Sequence, residues 1–275
     1  MPSYLLLTFA RTRAGALLAS AAALASVGAL HPAPAAAASA PAQTASAHAT
    51  AAVLDLDGAG RTPVLHGQDS AYDTASIVKV DILAALLLQA QDAGRRLTAD
   101  ERGHAEPMIR RSDNTAADAL WREIGQASGL AAANKRLGLT STTGGPGVKW
   151  GLTRTTASDQ IRLMRAVFDG DTAARPGSTA KSALGAQSRT YIRTLMGQVV
   201  PEQTWGVSAV GGSGTPRALK NGWLQRNTSG LWDVNSVGQV TVKGHRCLVA
   251  VLSNGSASMS DGISLVERTA RSAVA

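Results

Sequence analysis

The sequence predicts an α/β (α+β) fold. An antiparallel sheet flanked by helices is built from both termini of the folded region, with an all-helical lobe inserted between. Three observations predict it: strand-like runs near both ends, a series of helix-capping signals between them, and a closing amphipathic stretch. No internal repeat cuts across this plan.

The elements follow in chain order. Residues 1–38 read as a secretory signal peptide, because Arg11 and Arg13 precede an apolar stretch from Ala14 to Leu30 and A-x-A sites follow. That stretch is too short and too rich in alanine for a membrane span, and no cysteine follows it for lipidation. No stable membrane anchor is therefore expected. Residues 39–50 are low in complexity and predict a flexible linker. Residues 51–275 then form one domain, its helical lobe at about 82–205.

Within that domain Ala51–Leu56 predicts a strand, Asp57-Gly58-Ala59-Gly60 a turn, and Thr62–His66 the hairpin partner. From Thr74 the period changes. Ile77, Val80, Leu83, Ala84, Leu87 and Leu88 recur at helical spacing until Gly94, and a helix so apolar all round belongs at the centre. Thr98-Ala99-Asp100-Glu101 is a capping box for a helix reaching towards Arg111. Asp113 or Asn114 caps another that ends near Gly125, and a third covers Ala131–Leu137 and closes at Gly138. Thr156 opens a helix carrying Ile161, Leu163, Met164 and Val167, and Ser188–Met196 forms one more before Gly197. Leu219–Leu224, Leu231–Val242 and Arg246–Leu252 are strand candidates, and Met259–Val274 is the final helix.

Composition narrows the function. The 275 residues suffice for a real core, and 17% charged against 44% apolar residues excludes general disorder. Arg11 and Arg13 supply two of the eight net positive charges. No Lys/Arg run interleaves with aromatics, which argues against nucleic acid as a partner, while an anionic wall polymer fits the charge. Cys247 is the sole cysteine, so no internal disulfide exists, and its apolar run places it in the core. The five histidines lack metal-ligand spacing, and neither a Walker-type loop nor G-x-G-x-x-G occurs, so no metal and no cofactor is expected. Trp121, Trp205 and Trp232 read as core or sheet packing.

Three short motifs carry chemistry. Ser76-Ile77-Val78-Lys79 is an S-x-x-K, which on a helix puts both side chains on one face. A serine hydroxyl is a weak nucleophile until a neighbour takes its proton, and a lysine whose pKa is lowered by burial can do so. Alone the motif is weak, since chance supplies on the order of half a match in a chain of this composition. Ser178-Thr179-Ala180-Lys181 is indeed a second copy, read as accidental because no apolar helix stands behind it. Ser112-Asp113-Asn114 is the stronger signal; a plain cap would need only one of its residues. Ser112 could relay a proton and Asn114 could bind an amide. Lys220-Asn221-Gly222, in a strand candidate, is the third element, and a solvated edge lysine is the bland alternative.

In this order, on helix start, loop and strand, the three motifs resemble the class A β-lactamase and penicillin-binding serine hydrolase superfamily. The resemblance implies that Ser76 is the nucleophile, Lys79 its base or proton relay, and Ser112 the onward proton carrier. It implies that Lys220 holds a substrate carboxylate, that Asn114 and Asn221 bind substrate polar groups, and that the amides of Ser76 and Trp223 form an oxyanion hole beside Gly222. Asn221 stands where the family carries Thr or Ser, and Trp223 is bulkier than the usual residue. The family's water-activating Glu is missing: between Glu123 and Asp159 no acid occurs, and the corresponding loop is Thr143–Gly151. Lys79 or Glu202 is left as a substitute base.

The resemblance implies an enzyme that forms an acyl-serine with a small molecule, a β-lactam or a D-Ala-D-Ala-like amide; the leader predicts that it is secreted, the missing acid predicts slow release of the ester, and a monomer is expected. A D,D-carboxypeptidase or esterase is the second reading. A non-catalytic binding module for wall fragments or β-lactams is the third.

Overall fold

The computed structural model describes residues 46–58, 62–169 and 183–275. The expected signal peptide, most of the expected linker and the second S-x-x-K at Ser178–Lys181 lie outside the described residues.

Strand β1 (His48–Asp55) opens the fold, followed by β2 (Val64–His66) and β3 (Tyr72–Asp73). A 3-10 turn at Ala75–Ile77 runs into α1 (Val78–Asp92), and α2 (Ala99–Arg110), α3 (Asn114–Glu123) and α4 (Gln126–Leu137) follow. Then come β4 (Arg154–Thr155), α5 (Ala157–Phe168), α6 (Ala186–Gly197), β5 (Ala218–Gln225), β6 (Trp232–Val242), β7 (His245–Ser256) and α7 (Met259–Ala273). The main sheet has five antiparallel strands in the order β2-β1-β7-β6-β5, so it is made from both ends of the domain, and the helices α1 to α6 intervene. Among the described residues no helix is long and apolar enough to cross a membrane.

Beta strand β7 explains the layering. Leu248, Ala250 and Leu252 point into a core shared with α1 and α5, while Cys247, Val249 and Val251 point into a second core with Val266 and Ala270 of α7. Side chains alternate across a strand, so a strand buried on both faces reads as one continuous apolar run. Cys247 lies in that second core, and burial pushes its thiol up to about 11.

The local signals act as read. Thr98 accepts from the Glu101 amide while the Glu101 carboxylate accepts from the Thr98 amide, and Asp113 and Thr156 cap α3 and α5 through their side chains. Gly138 closes α4 in the left-handed region, where glycine carries no Cβ penalty. Two expectations need correction. The linker does not extend to residue 50: β1 already begins at His48, because His48, Ala49 and Thr50 pair with Asn254, Ser253 and Leu252 of β7. The helix does not start at Ser76 either, since that residue sits in the 3-10 turn and Lys79 lies in the first turn of α1.

Helix α1 is buried along nearly its whole length, and the burial extends to one acid. Asp81 is fully buried, which penalises its charged form and pushes its carboxyl up to about 7. A carboxyl raised in the folded state binds its proton more tightly than the unfolded chain does. It therefore favours folding at acid pH, and that contribution is lost as pH rises through about 7. Asp81→Asn should accordingly stabilise the protein at pH 8 by on the order of 2 kcal/mol and change little at pH 4, as measured by urea denaturation at both values.

Candidate active site

The site is assembled where the edge strand β5 meets the turn that opens α1. Gly222 makes the meeting possible. A Cβ at this position would lie 2.7 Å from the Ser76 amide nitrogen and from the Thr74 carbonyl, and 2.9 Å from the Ile77 nitrogen. Only a residue without a side chain lets the strand backbone come this close. Beta strand β6 holds the other side. Asn235, fully buried, donates to the carbonyls of Asp73 (2.9 Å) and Thr74 (3.1 Å), and its own carbonyl accepts from the Ser253 amide of β7 (3.0 Å). The Thr74 amide is fixed as well, donating to the Thr153 carbonyl at 2.8 Å. Ser76 thus sits on a turn tied to the sheet, with Ala75 at a φ of 46°, a left-handed conformation that costs a non-glycine residue roughly 1–2 kcal/mol.

Two lysines converge on one hydroxyl. Lys79 Nζ, with no exposure, donates to the Ser112 carbonyl (2.7 Å), to Ser112 Oγ (3.1 Å) and to Asn114 Oδ1 (2.8 Å). Lys220 Nζ, equally buried, donates to Ser112 Oγ (2.9 Å) and to the Asn221 carbonyl (2.9 Å). Ser112 reaches this point with a φ of 57°, the second strained non-glycine residue of the site. A hydroxyl has two acceptor lone pairs and one donor. Both acceptor positions of Ser112 are taken by the amines, so its own proton is left to point elsewhere.

All these hydrogen bonds end on uncharged oxygens, and burial dominates the electrostatics. It lowers Lys79 to about 7, with Asp113 and Asp118 opposing from nearby. Lys220 falls well below the ordinary lysine value through burial and through the charge of Lys79. An amine near 7 can be neutral and accept a proton under physiological conditions.

In front of these groups lies a cleft of about 620 Å³ whose walls include Ser76, Asn114, Asp118, Trp150, Trp223 and Arg226. Trp223 packs against Trp205 with ring centroids 5.9 Å apart at 57°. Arg226 is paired with the buried Asp73, three residues before Ser76.

The sequence-predicted residues Ser76, Lys79, Ser112, Asn114, Lys220, Gly222 and Trp223 meet around this cleft and the turn behind it. Asn221 does not contribute the amide expected of it. Its Nδ2 donates to the carbonyls of Gln203 (2.9 Å) and Trp205 (3.1 Å), and its Oδ1 accepts from Ser236 Oγ (2.6 Å). Neighbouring strand residues face opposite sides, so the Asn221 side chain secures the segment beneath β5. Glu202, considered as a substitute base, is exposed on the turn Pro201–Gln203 and does not line the cleft.

Three contributors escaped the sequence reading: Asn235, Asp118 and Trp150. Trp150 lies on the acid-free loop with its ring centroid 4.7 Å from Lys79 Nζ, and its indole N–H donates to Asp118 Oδ1 at 2.7 Å. The same loop is pinned by Trp121, whose indole N–H donates to the Gly147 carbonyl at 2.7 Å.

Comparison with known proteins bears on this arrangement. A profile of the family described as the beta-lactamase enzyme family matches residues 100–275, a span that holds Ser112, Asn114 and Lys220 and begins after Ser76 and Lys79. LppW of Mycobacterium tuberculosis is 30% identical over 121 residues, which is 44% of this chain and 38% of LppW. The match therefore spans well under half of that relative's length. Among solved structures, a mutant of PBP-A in its acyl-enzyme complex with penicillin G superposes with a TM-score of 0.66 at 23% identity, covering 82% of this chain and 88% of that one. TLA-1, an extended-spectrum beta-lactamase, gives 0.68 at 17% identity over 83% and 92%. At these identities the two structures share the fold.

The glycine contact gives a stability test with an internal control. Gly222→Ala forces β5 off the turn and is expected to cost about 1–3 kcal/mol in urea denaturation. Gly103→Ala, in α2 with open space around its Cβ position, is expected to gain about 0.5–1 kcal/mol.

Proposed function

The chain belongs to the beta-lactamase enzyme family, and on that premise we propose that it is an exported serine hydrolase whose Ser76 forms an ester with β-lactams or D-Ala-D-Ala-like amides and loses it slowly. The observation that carries the reading is the single Ser112 hydroxyl held between two buried amines beside the Ser76 turn.

The contacts at Ser112 and the order of the three motifs support the following chemistry. Neutral Lys79 takes the proton of Ser76 Oγ as that oxygen attacks the substrate carbonyl carbon. The developing oxyanion is received by the amides of Ser76 and Trp223. Asn221 and Trp223 lie two apart on β5, so their backbone groups share the edge on which the Asn221 carbonyl meets Lys220. When the carbon–nitrogen bond breaks, Ser112 gives its free proton to the leaving nitrogen and recovers one from Lys79 across their 3.1 Å contact. The proton taken from Ser76 has then reached the leaving group, and the site keeps its charge. Lys220 holds the Ser112 hydroxyl in place across their 2.9 Å contact.

Release of the ester needs an activated water. The loop at Thr143–Gly151 carries no carboxylate, which supports slow release. Export is supported by Arg11, Arg13 and the apolar stretch after them.

Intact-mass spectrometry after addition of penicillin tests the proposal. A covalent adduct that maps to Ser76 and persists is expected, and Ser76→Ala should show none. Ligand binding without any adduct would instead establish the binding-module reading. Peptide release from a D-Ala-D-Ala donor with no lactam adduct would favour a carboxypeptidase. The acylation rate should rise with pH through about 7 as Lys79 loses its proton, and stopped-flow labelling from pH 5.5 to 8.5 reads this directly.

A further inference from the structure

We propose that Trp150 sets the lifetime of the Ser76 ester, its indole filling the space between Lys79 and Asp118 in which a hydrolytic water would otherwise be held and activated. The proposal rests on the acyl-serine reading above and concerns the step after acylation.

The indole is interposed between two groups of opposite charge. Its face meets the Lys79 ammonium position at 4.7 Å, and its N–H edge meets Asp118 Oδ1 at 2.7 Å. Asp118 is one turn beyond Asn114 on α3, and Asn114 Oδ1 is itself bonded to Lys79. Ser76, Asn114, Asp118 and Trp150 all line the same cleft. A buried water requires two to four polar partners and room of its own. Lys79, Asn114 and Asp118 supply the partners, and the ring takes the room.

The ring is also held in place from both sides. Trp150 begins a 3-10 turn closed by the Thr153 amide on its carbonyl at 3.0 Å. Earlier in the loop a Cβ on Gly145 would lie 2.1 Å from the Lys149 carbonyl, so the loop is folded tightly on itself. Asp118, by contrast, is the acid that sequence position alone hides, because it lies outside the loop where a base is sought.

With the ring removed, the water oxygen attacks the ester carbonyl and its proton passes to Asp118. Neutral Lys79 takes that proton from Asp118 and passes it to Ser76 Oγ as the tetrahedral intermediate collapses and the bond to that oxygen breaks. The products are free Ser76 and the released acid, and Lys79 and Asp118 end in the protonation states in which they began.

The test is a chase by intact-mass spectrometry on full-length protein, after acylation by penicillin and removal of the free drug. Trp150→Ala should shed the adduct at least about tenfold faster than wild type, Trp150→Phe should stay within about threefold of it, and Trp150→Ala/Asp118→Asn should return to it. Trp150→Leu is run in parallel and should also be faster than wild type, so that poor folding of the alanine variant does not decide the matter. A merely structural tryptophan would slow acylation on removal and would not speed release. Adduct lifetimes unchanged in Trp150→Ala and Trp150→Leu overturn the inference, as does a double variant that stays fast. Wild type that takes up no adduct at Ser76 overturns the acyl-serine reading itself, and the inference with it.

Discussion

The site depends on one backbone contact, the approach of β5 to the Ser76 turn at Gly222. It brings the Lys220 side chain and the Ser76 amide to the same edge of the sheet, and everything else is arranged around it. The contact needs support from both partners. On the strand side, Asn221 is bonded to the Gln203 and Trp205 carbonyls, which keeps β5 seated on the segment below. On the helix side, Asn235 fixes the Asp73 and Thr74 carbonyls. Two asparagines on adjacent strands therefore hold the two halves of the gap, one from each side.

The electrostatics are a consequence of the same packing. Two lysines without exposure, both bonded to uncharged oxygens, are an unfavourable arrangement in a folded protein. Together with the left-handed conformations of Ala75 and Ser112, they concentrate strain at the candidate site. The surrounding apolar core of α1 and the two-faced burial of β7 are what offset it.

Much of this was legible in the sequence, for physical reasons. Helix starts announce themselves because capping is local, as at Thr98, Asp113 and Thr156. Buried strands such as Cys247–Leu252 announce themselves by continuous apolarity. The three motifs were recognisable because each keeps its spacing within three or four consecutive residues. What was not legible lies in contacts made across sequence. Asn235 reads as an odd polar residue in an apolar strand, and its partners are about 160 residues earlier. Trp150 and Asp118 are 32 residues apart, so no short pattern joins them. Asn221 was misread because motif position was taken to fix side-chain direction, while its amide found three backbone and hydroxyl partners on the far side. The early start of β1 was hidden by His48-Ala49-Thr50, which has little strand character of its own and is ordered by β7.

On the proposed function, the clamp by Asn235 bears on which ligands would suit the cleft. The proposed attacking residue Ser76 is carried by a turn whose backbone three hydrogen bonds fix before anything enters, so complementarity must come from the guest. A stiff bicyclic ring presents its carbonyl in one pose and gives up little motion on arrival. A floppy peptide tail must freeze several torsions to present the same bond, and so meets a higher entropic barrier in the same rigid cradle.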